Sequence, residues 1–468
     1  MASGDQFMLE IAQQALLSSL GDPAEIEYRQ EILADSISQP AAIRELYDIA
    51  VQAVTGEKKI YLGIFAHESP DALIRRSVQV LEFFVGLLRA LRAASEEHAD
   101  SFRSAGLRRF SAMLSDELSD EHLAEVDKHL RELRFRRGVL MTAGLGTGNR
   151  GTGYVLRRIR EQGWVERMMP ISKAPAYSFQ VPARDENGFR ALSQLQDRGM
   201  NLAANALSQS TDHILGFFQA LRSELAFYVG NLNLRDMLDR KGGQVCFPVA
   251  VADGGSALAA RGLYDAPLAL HTDATVTGND VDADGKALVM ITGANQGGKS
   301  TFLRSLGVAY LMMQAGMFVP ARSFRASVRH GVFTHYRREE DAAMESGKLD
   351  EELSRMSEIV DQVTPGCIVL CNESFASTNE REGAEIARQI VRALLANDIT
   401  VLYVTHLFDL AHPFYLEQSP EALFLRAQRQ ADGQRSFKIA PGEPLPTSYG
   451  EDVYRRIFGA DLDSAPAS

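Results

Sequence analysis

A lysine and two hydroxyl residues follow a glycine-rich segment in the second half of the chain. The segment LVMITGANQGGKSTF, residues 288–302, has the form G-x-x-x-x-G-K-[ST]. Glycines let a backbone approach a phosphate closely, the lysine can reach the β- and γ-phosphates, and the hydroxyl after it suits Mg²⁺. The segment predicts binding of ATP or GTP, with a phosphate cradle formed by Gly293, Ala294, Asn295, Gln296, Gly297, Gly298, Lys299, Ser300 and Thr301.

Two later apolar runs end in residues that suit hydrolysis. The run CIVLCNE, residues 367–373, follows Pro365 and Gly366 and ends in Glu373, which is the candidate general base. The second of these runs, residues 400–405, ends at His406, which could sense a γ-phosphate or have only a structural role. Ligands of an open parallel sheet bind outside the carboxyl ends of its strands, so we expect these residues to meet at one site.

The elements around the glycine-rich segment support this prediction. Residues 287–291 are a short buried-strand pattern, and residues 301–313 carry apolar side chains at helical spacing, with Gly316 as the stop. A phosphate in the cradle would meet a helix N-terminus, where backbone N–H groups favour an anion. The alternative is a chance glycine-rich turn with no ligand.

Five segments together resemble the ATPase domain of the MutS family of DNA mismatch-repair proteins, in the family's order and spacing. They are TGANQGGKST from Thr292, ESGKLDEELSRMSEI from Glu345, IVLCNESFAST from Ile368, VTH from Val404 and PTSYGEDV from Pro446. The resemblance implies an α/β P-loop domain of the ABC type that hydrolyses ATP with Mg²⁺. It further implies an ATP-dependent homodimer in which Ser346 and Gly347 of one subunit contact the nucleotide of the other.

Asn372 departs from the family, which usually has an aspartate beside the catalytic glutamate. Asparagine keeps the shape and an acceptor oxygen but loses a negative charge near the cation. The resemblance therefore assigns Ser300 and Asn372 to the metal site and predicts slow hydrolysis that demands more Mg²⁺.

The rest of the chain is predicted to be mainly helical. Apolar residues recur at helical spacing over residues 7–20, 25–38, 40–54, 70–94 and 189–240. The resemblance divides the chain into a helical core and ascending lever (1–124), a small β-containing tip (125–188), a descending lever helix (189–241) and the C-terminal ATPase domain (242–468). The family's N-terminal mismatch-sensing domain has no counterpart ahead of these helices, so we expect a role in DNA repair or recombination other than standard mismatch sensing.

Residues 128–174 form a basic segment within an acidic protein. They hold eleven Lys or Arg against three Glu, whereas the whole chain has a net charge of -12. The glycine-rich stretch in its middle lacks a following Lys-Ser/Thr pair, and a hairpin is the better interpretation. The resemblance places the family's clamp at this segment, and phosphate contacts reward charge without reading sequence. The segment is therefore predicted to bind DNA by its structure rather than by its sequence. The candidate residues are Arg134, Arg136, Arg137, Arg150, Arg157, Arg158 and Arg160; a solvated charged face or a protein-binding tip is the alternative.

The composition places few other limits on function. The chain has 468 residues, 45% of them hydrophobic, which fits an ordinary globular protein of about three domains. Its three cysteines, Cys246, Cys367 and Cys371, have no metal-ligand spacing and fit a reducing compartment. Neither a signal pattern nor an apolar run of bilayer-spanning length is found, so a cytoplasmic protein without a membrane partner is expected.

Three functions are compatible with these patterns. The first is a MutS-like ATP-dependent DNA-binding protein, in which closure of the ATPase domains moves a DNA-contacting tip. The second is an ATP-gated scaffold of the ABC class whose tip grips another protein. The third, an SMC-like or transport ATPase, is disfavoured because the chain lacks long heptad repeats and membrane spans.

Overall fold

A computed structural model describes residues 1, 4–60, 69–136, 138–158, 178, 180–182, 184–252, 255–337, 347–430 and 435–447. Most of the described residues are helical. In chain order the α-helices of this part are α1 (Gln6–Leu17), α2 (Pro23–Ser38), α3 (Pro40–Lys59), α4 (Pro70–His98), α5 (Ala105–Glu117), α6 (Asp120–Leu133), α7 (Glu186–Arg240), α8 (Ala266–His271), α9 (Lys299–Gln314), α10 (Lys348–Val360), α11 (Glu380–Ala396) and α12 (Phe408–Leu416).

The strands among the described residues form three sheets. They are β1 (Leu140–Leu145), β2 (Gly151–Arg157), β3 (Val249–Val251), β4 (Leu258–Leu263), β5 (Asn279–Asp282), β6 (Leu288–Gly293), β7 (Ser323–Ser327), β8 (Val332–Tyr336), β9 (Ile368–Asn372), β10 (Thr400–Val404), β11 (Ala422–Arg429) and β12 (Arg435–Pro441). The sheet orders are β1-β2, β3-β7-β4-β5 and β12-β11-β6-β10-β9-β8.

The chain divides into two compact units. The sheet unit comprises Met1–Ser38 and Gly230–Ser468, and the helical unit comprises Gln39–Val229. Residues 1–38 therefore belong with the C-terminal residues, whereas the sequence grouped them with the other helices up to residue 124. The helix α7 contributes residues to both units.

The six-stranded sheet positions the candidate site. Strands β8, β9, β10, β6 and β11 are parallel neighbours, and β12 is antiparallel at the edge. Every residue of β6 and β10 is buried, as expected for central strands covered on both faces. Met290, Val369 and Tyr403 pack with apolar residues of α11 and α12 in one core. The carboxyl ends of the five parallel strands lie along one edge of this sheet, as the sequence predicted for β6, β9 and β10.

The first two helices are tied to the end of α9 within the sheet unit. Leu20 N donates to Gln314 O at 2.9 Å, and Arg29 Nη1 donates to Ala315 O at 3.3 Å. The last carbonyls of a helix have no partner within the helix, so these donors satisfy groups that would otherwise need water. The contacts explain why the N-terminal residues belong with the sheet unit.

The helical unit confirms the predicted helices and the hairpin. The stretches predicted over 70–94 and 189–240 are helical as α4 and α7, and β1 and β2 pair as an antiparallel hairpin. Ser69 begins α4 by accepting a hydrogen bond from Ala72 N, which is an ordinary N-cap. Apolar side chains from α4, α6 and α7 form the core of this unit: Ile74, Val78, Leu81, Val85, Leu123, Leu130, Met200 and Ala204.

Candidate functional site

The glycine-rich loop joins the central strand β6 to the helix α9. Gly293 has φ +103°, and a Cβ atom there would lie 2.9 Å from both the backbone N and O of Ala427. Gly298 precedes α9 at φ +90°, in the left-handed region that other residues rarely adopt. Glycine avoids a backbone clash at Gly293 and the conformational strain that a side chain would add at Gly298. Its backbone turns directly into the N-terminus of a 16-residue helix.

Lys299 is the first residue of α9 and is only 5% exposed. Its Nζ donates to Gly293 O at 2.9 Å and to Ala294 O at 3.2 Å, so the ammonium lies against the loop. Burial lowers the pKa of Lys299, while the nearby Glu373 carboxylate acts in the opposite direction. The two carbonyl contacts hold the positive charge in place although water has been removed from much of the side chain.

Ser300 and Asn372 meet although 72 residues separate them in the chain. The Ser300 hydroxyl donates to Asn372 Oδ1 at 2.8 Å, which joins the first turn of α9 to the end of β9. Both predicted metal ligands are therefore at one place. They offer a hydroxyl and an amide oxygen, which are the hard oxygen donors that Mg²⁺ prefers.

Glu373 and His406 follow neighbouring strands. Glu373 comes directly after β9 and His406 lies two residues after β10, and Glu373 Oε1 is 3.7 Å from His406 Nδ1. This distance describes a loose contact rather than a short hydrogen bond. The neighbouring imidazole nevertheless lowers the pKa of Glu373, against the opposing effect of burial. The carboxyl group is thereby favoured in its ionised form, which a general base requires.

One cavity of about 720 Å³ is lined by all of these side chains except Asn372, which adjoins it through its hydrogen bond with Ser300. Seven of the nine predicted cradle residues line it: Asn295, Gln296, Gly297, Gly298, Lys299, Ser300 and Thr301. Of the other two, Gly293 ends β6 and Ala294 is fully buried beneath the loop. Glu373 and His406 also line the cavity. Gly347 precedes α10 and is not among the described residues that line it, and Ser346 lies outside the described residues.

The cavity also contains residues that sequence reasoning missed. Arg337 follows β8, the strand beside β9, so its position at a strand end was the available signal. Phe437 of β12 is half-exposed at φ +56°, and its carbonyl accepts a hydrogen bond from Asn279 Nδ2 at 3.1 Å. No local pattern marks Phe437, because only the pairing of β11 with β6 and β12 brings it to the loop.

The described part of the basic segment contains both paired and exposed arginines. Arg134 Nε donates to Glu82 Oε1 at 2.8 Å, and Arg158 is paired with Glu132. Arg157 Nε donates to the Thr142 hydroxyl at 3.1 Å. By contrast, Arg136 and Arg150 are exposed, whereas Arg137, Arg160 and residues 161–174 lie outside the described residues.

The remaining observations concern the three cysteines, clusters of metal-binding side chains and the hydrophobicity of the helices. Cys367 and Cys371 are buried in the strand region as predicted, and all three thiols are free. Within the residues that the structure describes, no group of three or more His, Cys, Asp or Glu is placed to hold a metal. None of the helices in this part of the chain is apolar over a length that could cross a bilayer.

Comparisons with known proteins match both parts of the chain. Residues 21–241 match the model of the MutS2 N-terminal domain, and residues 289–458 match MutS domain V. The chain is 28% identical over 195 residues to the DNA mismatch repair protein msh3 of Aspergillus niger, which covers 40% of this chain and 17% of that protein. It is 29% identical over 183 residues to the DNA mismatch repair protein MutS of Chloroflexus aurantiacus, covering 36% and 19%. It is 24% identical over 206 residues to the human MutS protein homolog 4, covering 42% and 21%. The matched regions thus span only about a fifth of these relatives.

Proposed function

The chain belongs to the MutS family, and on this basis we propose that it is an ABC-type P-loop ATPase whose nucleotide cycle controls DNA binding. One observation carries the ATPase proposal. Lys299, the Ser300–Asn372 pair and Glu373 line or adjoin one cavity at the carboxyl edge of a parallel sheet. This is where an open α/β sheet binds its ligand.

The loop and α9 would bind the phosphates of ATP. An ammonium group has three donors, and the two Lys299 contacts to carbonyl oxygens leave a third for a phosphate. The backbone N–H groups at the start of α9 and the helix dipole favour the same negative charge. Phosphate binding therefore uses groups that the β6–α9 turn already holds in position.

Mg²⁺ fits the pair formed by Ser300 and Asn372. A cation held there would neutralise phosphate charge, and the Ser300 hydroxyl and Asn372 Oδ1 are close enough to act on one ion or on its water. Asparagine contributes no charge, so the nucleotide phosphates would provide most of the attraction for the metal.

Glu373 is the residue proposed to activate water. Its lowered pKa keeps the carboxylate ionised at neutral pH, and a positioned base of this kind accelerates a reaction by about 10²–10⁴-fold. His406, which follows the neighbouring strand, is the residue that we assign to contact this carboxylate and to sense the terminal phosphate. Glu373 and His406 therefore both come from the subunit that binds the nucleotide.

The same ATPase would be completed by a second copy. Gly347 is the N-cap of α10, and the first turn of a helix offers backbone N–H groups that its own carbonyl groups do not satisfy. In the proposed dimer, Ser346 and Gly347 of each subunit contact the ATP bound by the other. In this proposal the dimer closes when ATP binds and opens after hydrolysis.

DNA binding is assigned to the basic segment, residues 128–174. Among its described residues, Arg136 and Arg150 present exposed guanidinium groups, whereas Arg134 and Arg158 are engaged with carboxylates. The helix α7 begins after this segment and continues into the sheet unit, so it provides a covalent path between the DNA-binding residues and the ATPase.

Filter binding of duplex, branched and single-stranded DNA, with and without ATP, tests the proposal. Arg136→Glu/Arg150→Glu should weaken binding to all these DNAs and reduce the slope of log affinity against log salt by about two, since each phosphate contact contributes about one. The matched control is Arg108→Glu/Arg109→Glu, which reverses two exposed charges on α5. Unchanged DNA affinity in the first variant, or an equal loss in the control, would refute the assignment.

An ATP-gated protein scaffold is the second candidate, and the ion pairs favour it. Arg134 and Arg158 already neutralise Glu82 and Glu132, so the described basic segment offers less free charge than its composition indicates. A scaffold would hydrolyse ATP with the same site yet show no salt-dependent affinity for any of the DNAs.

A further inference from the structure

The turn that carries Glu373 has an unusual backbone. Glu373 has φ +54° and Phe375 has φ +62°, so two residues other than glycine adopt left-handed conformations within three positions. Such conformations persist only where surrounding contacts hold them, and they are common where a side chain must be aimed. The contacts that hold this turn therefore bear directly on the position of the Glu373 carboxylate.

A buried carboxylate supplies the first of these contacts. Glu352 lies in α10, is only 3% exposed, and accepts a hydrogen bond from Phe375 N through Oε2 at 2.7 Å. Burial raises the pKa of Glu352, while the Phe375 N–H acts against this rise. A buried carboxyl group is unfavourable unless it is well paired, so its presence here requires a reason beyond packing.

His335 and Ser374 complete a connected cluster. The buried His335 ring has Nδ1 2.6 Å from Ser374 Oγ and Nε2 3.0 Å from the backbone O of Glu352. Since a carbonyl oxygen can only accept, Nε2 carries a hydrogen. Tyr403 of β10 adds a further contact, because its hydroxyl donates to Ser374 O at 2.8 Å.

The cluster lies behind the site rather than in it. Glu352, His335 and Ser374 are not among the described residues that line the cavity, so they are not placed to touch the nucleotide. Their contacts are instead with the turn and with one another: Glu352 contacts Phe375, and His335 contacts both Ser374 and Glu352. Ser374 and Phe375 are the two residues that follow Glu373. Glu352 also lies in α10, the helix that begins immediately after Gly347.

We propose that Glu352 is a positioning residue for hydrolysis: with His335 and Ser374 it holds the Glu373 turn against α10 and so aims the Glu373 carboxylate. The inference rests on the proposed function of Glu373 as the general base. It adds that a movement of α10 would move the Glu373 turn, because Glu352 joins the two. The first turn of α10 adjoins the segment that we assign to the nucleotide of the partner subunit. ATP binding does not depend on this connection, but turnover does.

The test uses the full chain with ATP and compares three substitutions of Glu352. Glu352→Gln keeps an acceptor for Phe375 N–H, Glu352→Leu removes the acceptor but retains the volume, and Glu352→Ala removes both. Glu358→Ala, an exposed glutamate of the same helix, is the control. We expect Leu and Ala to lower kcat by at least 10-fold with the Kd for ATP within about twofold, and Gln to restore most of the loss. Thermal melting reports whether each variant is folded, and the Gln and Leu pair carries the test if Ala does not fold.

A double-mutant cycle separates this role from simple loss of structure. If Glu352 acts through Glu373, then Glu352→Leu should lower kcat no further in the Glu373→Gln background. Additive losses would overturn the inference, as would a folded Glu352→Leu variant with full turnover. If Glu373→Gln itself keeps full turnover, the proposed function of Glu373 fails instead, so the two failures are distinguishable.

Discussion

Introducing a negative charge beside the proposed metal site is the sharpest perturbation that the structure offers. Asn372→Asp replaces an amide with a carboxylate of the same shape, and the Ser300 hydroxyl, 2.8 Å from Oδ1, can still donate to it. The substitution therefore changes the charge at the end of β9 with little change in packing. We expect it to lower the Mg²⁺ concentration required for half-maximal ATP hydrolysis.

The size of the effect follows from the geometry of the pair. A cation held by the Ser300 hydroxyl would be about 2 Å from that oxygen and hence within about 5 Å of a carboxylate at position 372. Because the Ser300 side is solvent-exposed, a water-like dielectric is appropriate, and the attraction between charges of +2 and −1 is then about 1.7 kcal/mol. This corresponds to a shift of roughly 10- to 30-fold in the Mg²⁺ requirement.

Titration of Mg²⁺ against ATP turnover, at constant ionic strength, measures the shift. Asn397→Asp is the matched control, because it adds the same charge after α11, before the opposite end of β10. Superimposable titrations for the wild-type and Asn372→Asp proteins would refute the reasoning and leave the metal to Ser300 and the phosphates. An equal shift in the control would show a general effect of protein charge.

Three further predictions follow from the site and its surroundings. Lys299→Ala should weaken ATP binding at least 10-fold by removing a charged hydrogen-bond donor, and equilibrium binding of ATP with retained affinity would contradict the loop assignment. Glu373→Gln should bind ATP, turn it over about 10²–10⁴-fold more slowly and sediment as a dimer only with ATP; a monomer in both conditions would remove the composite site. Burial raises the pKa of the Cys246 thiol from 9.0 to about 11, so its thiolate should be about 100-fold scarcer at pH 8 than in the unfolded chain. Alkylation followed by mass spectrometry should show that its rate in the native protein is correspondingly slow and rises about tenfold per pH unit until pH 11.

The local sequence determined the glycine-rich loop and the strand ends. Glycines at 293 and 298 are required by backbone conformations that only they adopt easily, and the lysine and serine follow within two residues. Apolar runs of strand length ended at Asn372 and beside His406, and a parallel sheet places such ends on one edge. These features are set by neighbours in the chain, so the sequence was sufficient to predict them.

Only the tertiary structure decided which residues from distant parts of the chain lie beside the glycine-rich loop and these strand ends. Arg337 and Phe437 reach the cavity because β8 and β12 occupy particular places in the sheet order, and strand order depends on pairing between residues far apart. The sequence also could not show which arginines of the basic segment are paired. Glu82, 52 residues before Arg134, neutralises that arginine.

The buried cluster behind Glu373 illustrates the same limit. In the sequence, Glu352 is one of several acidic residues on an amphipathic helix, and nothing distinguishes it from exposed Glu358. Folding buries one carboxylate against the Phe375 N–H and leaves the other in water. The sequence by itself determined which residues could do chemistry on a phosphate. The packing of α10 against the end of β9 decided which side chain contacts the turn that carries Glu373, because burial is a property of the assembled fold and not of the local chain.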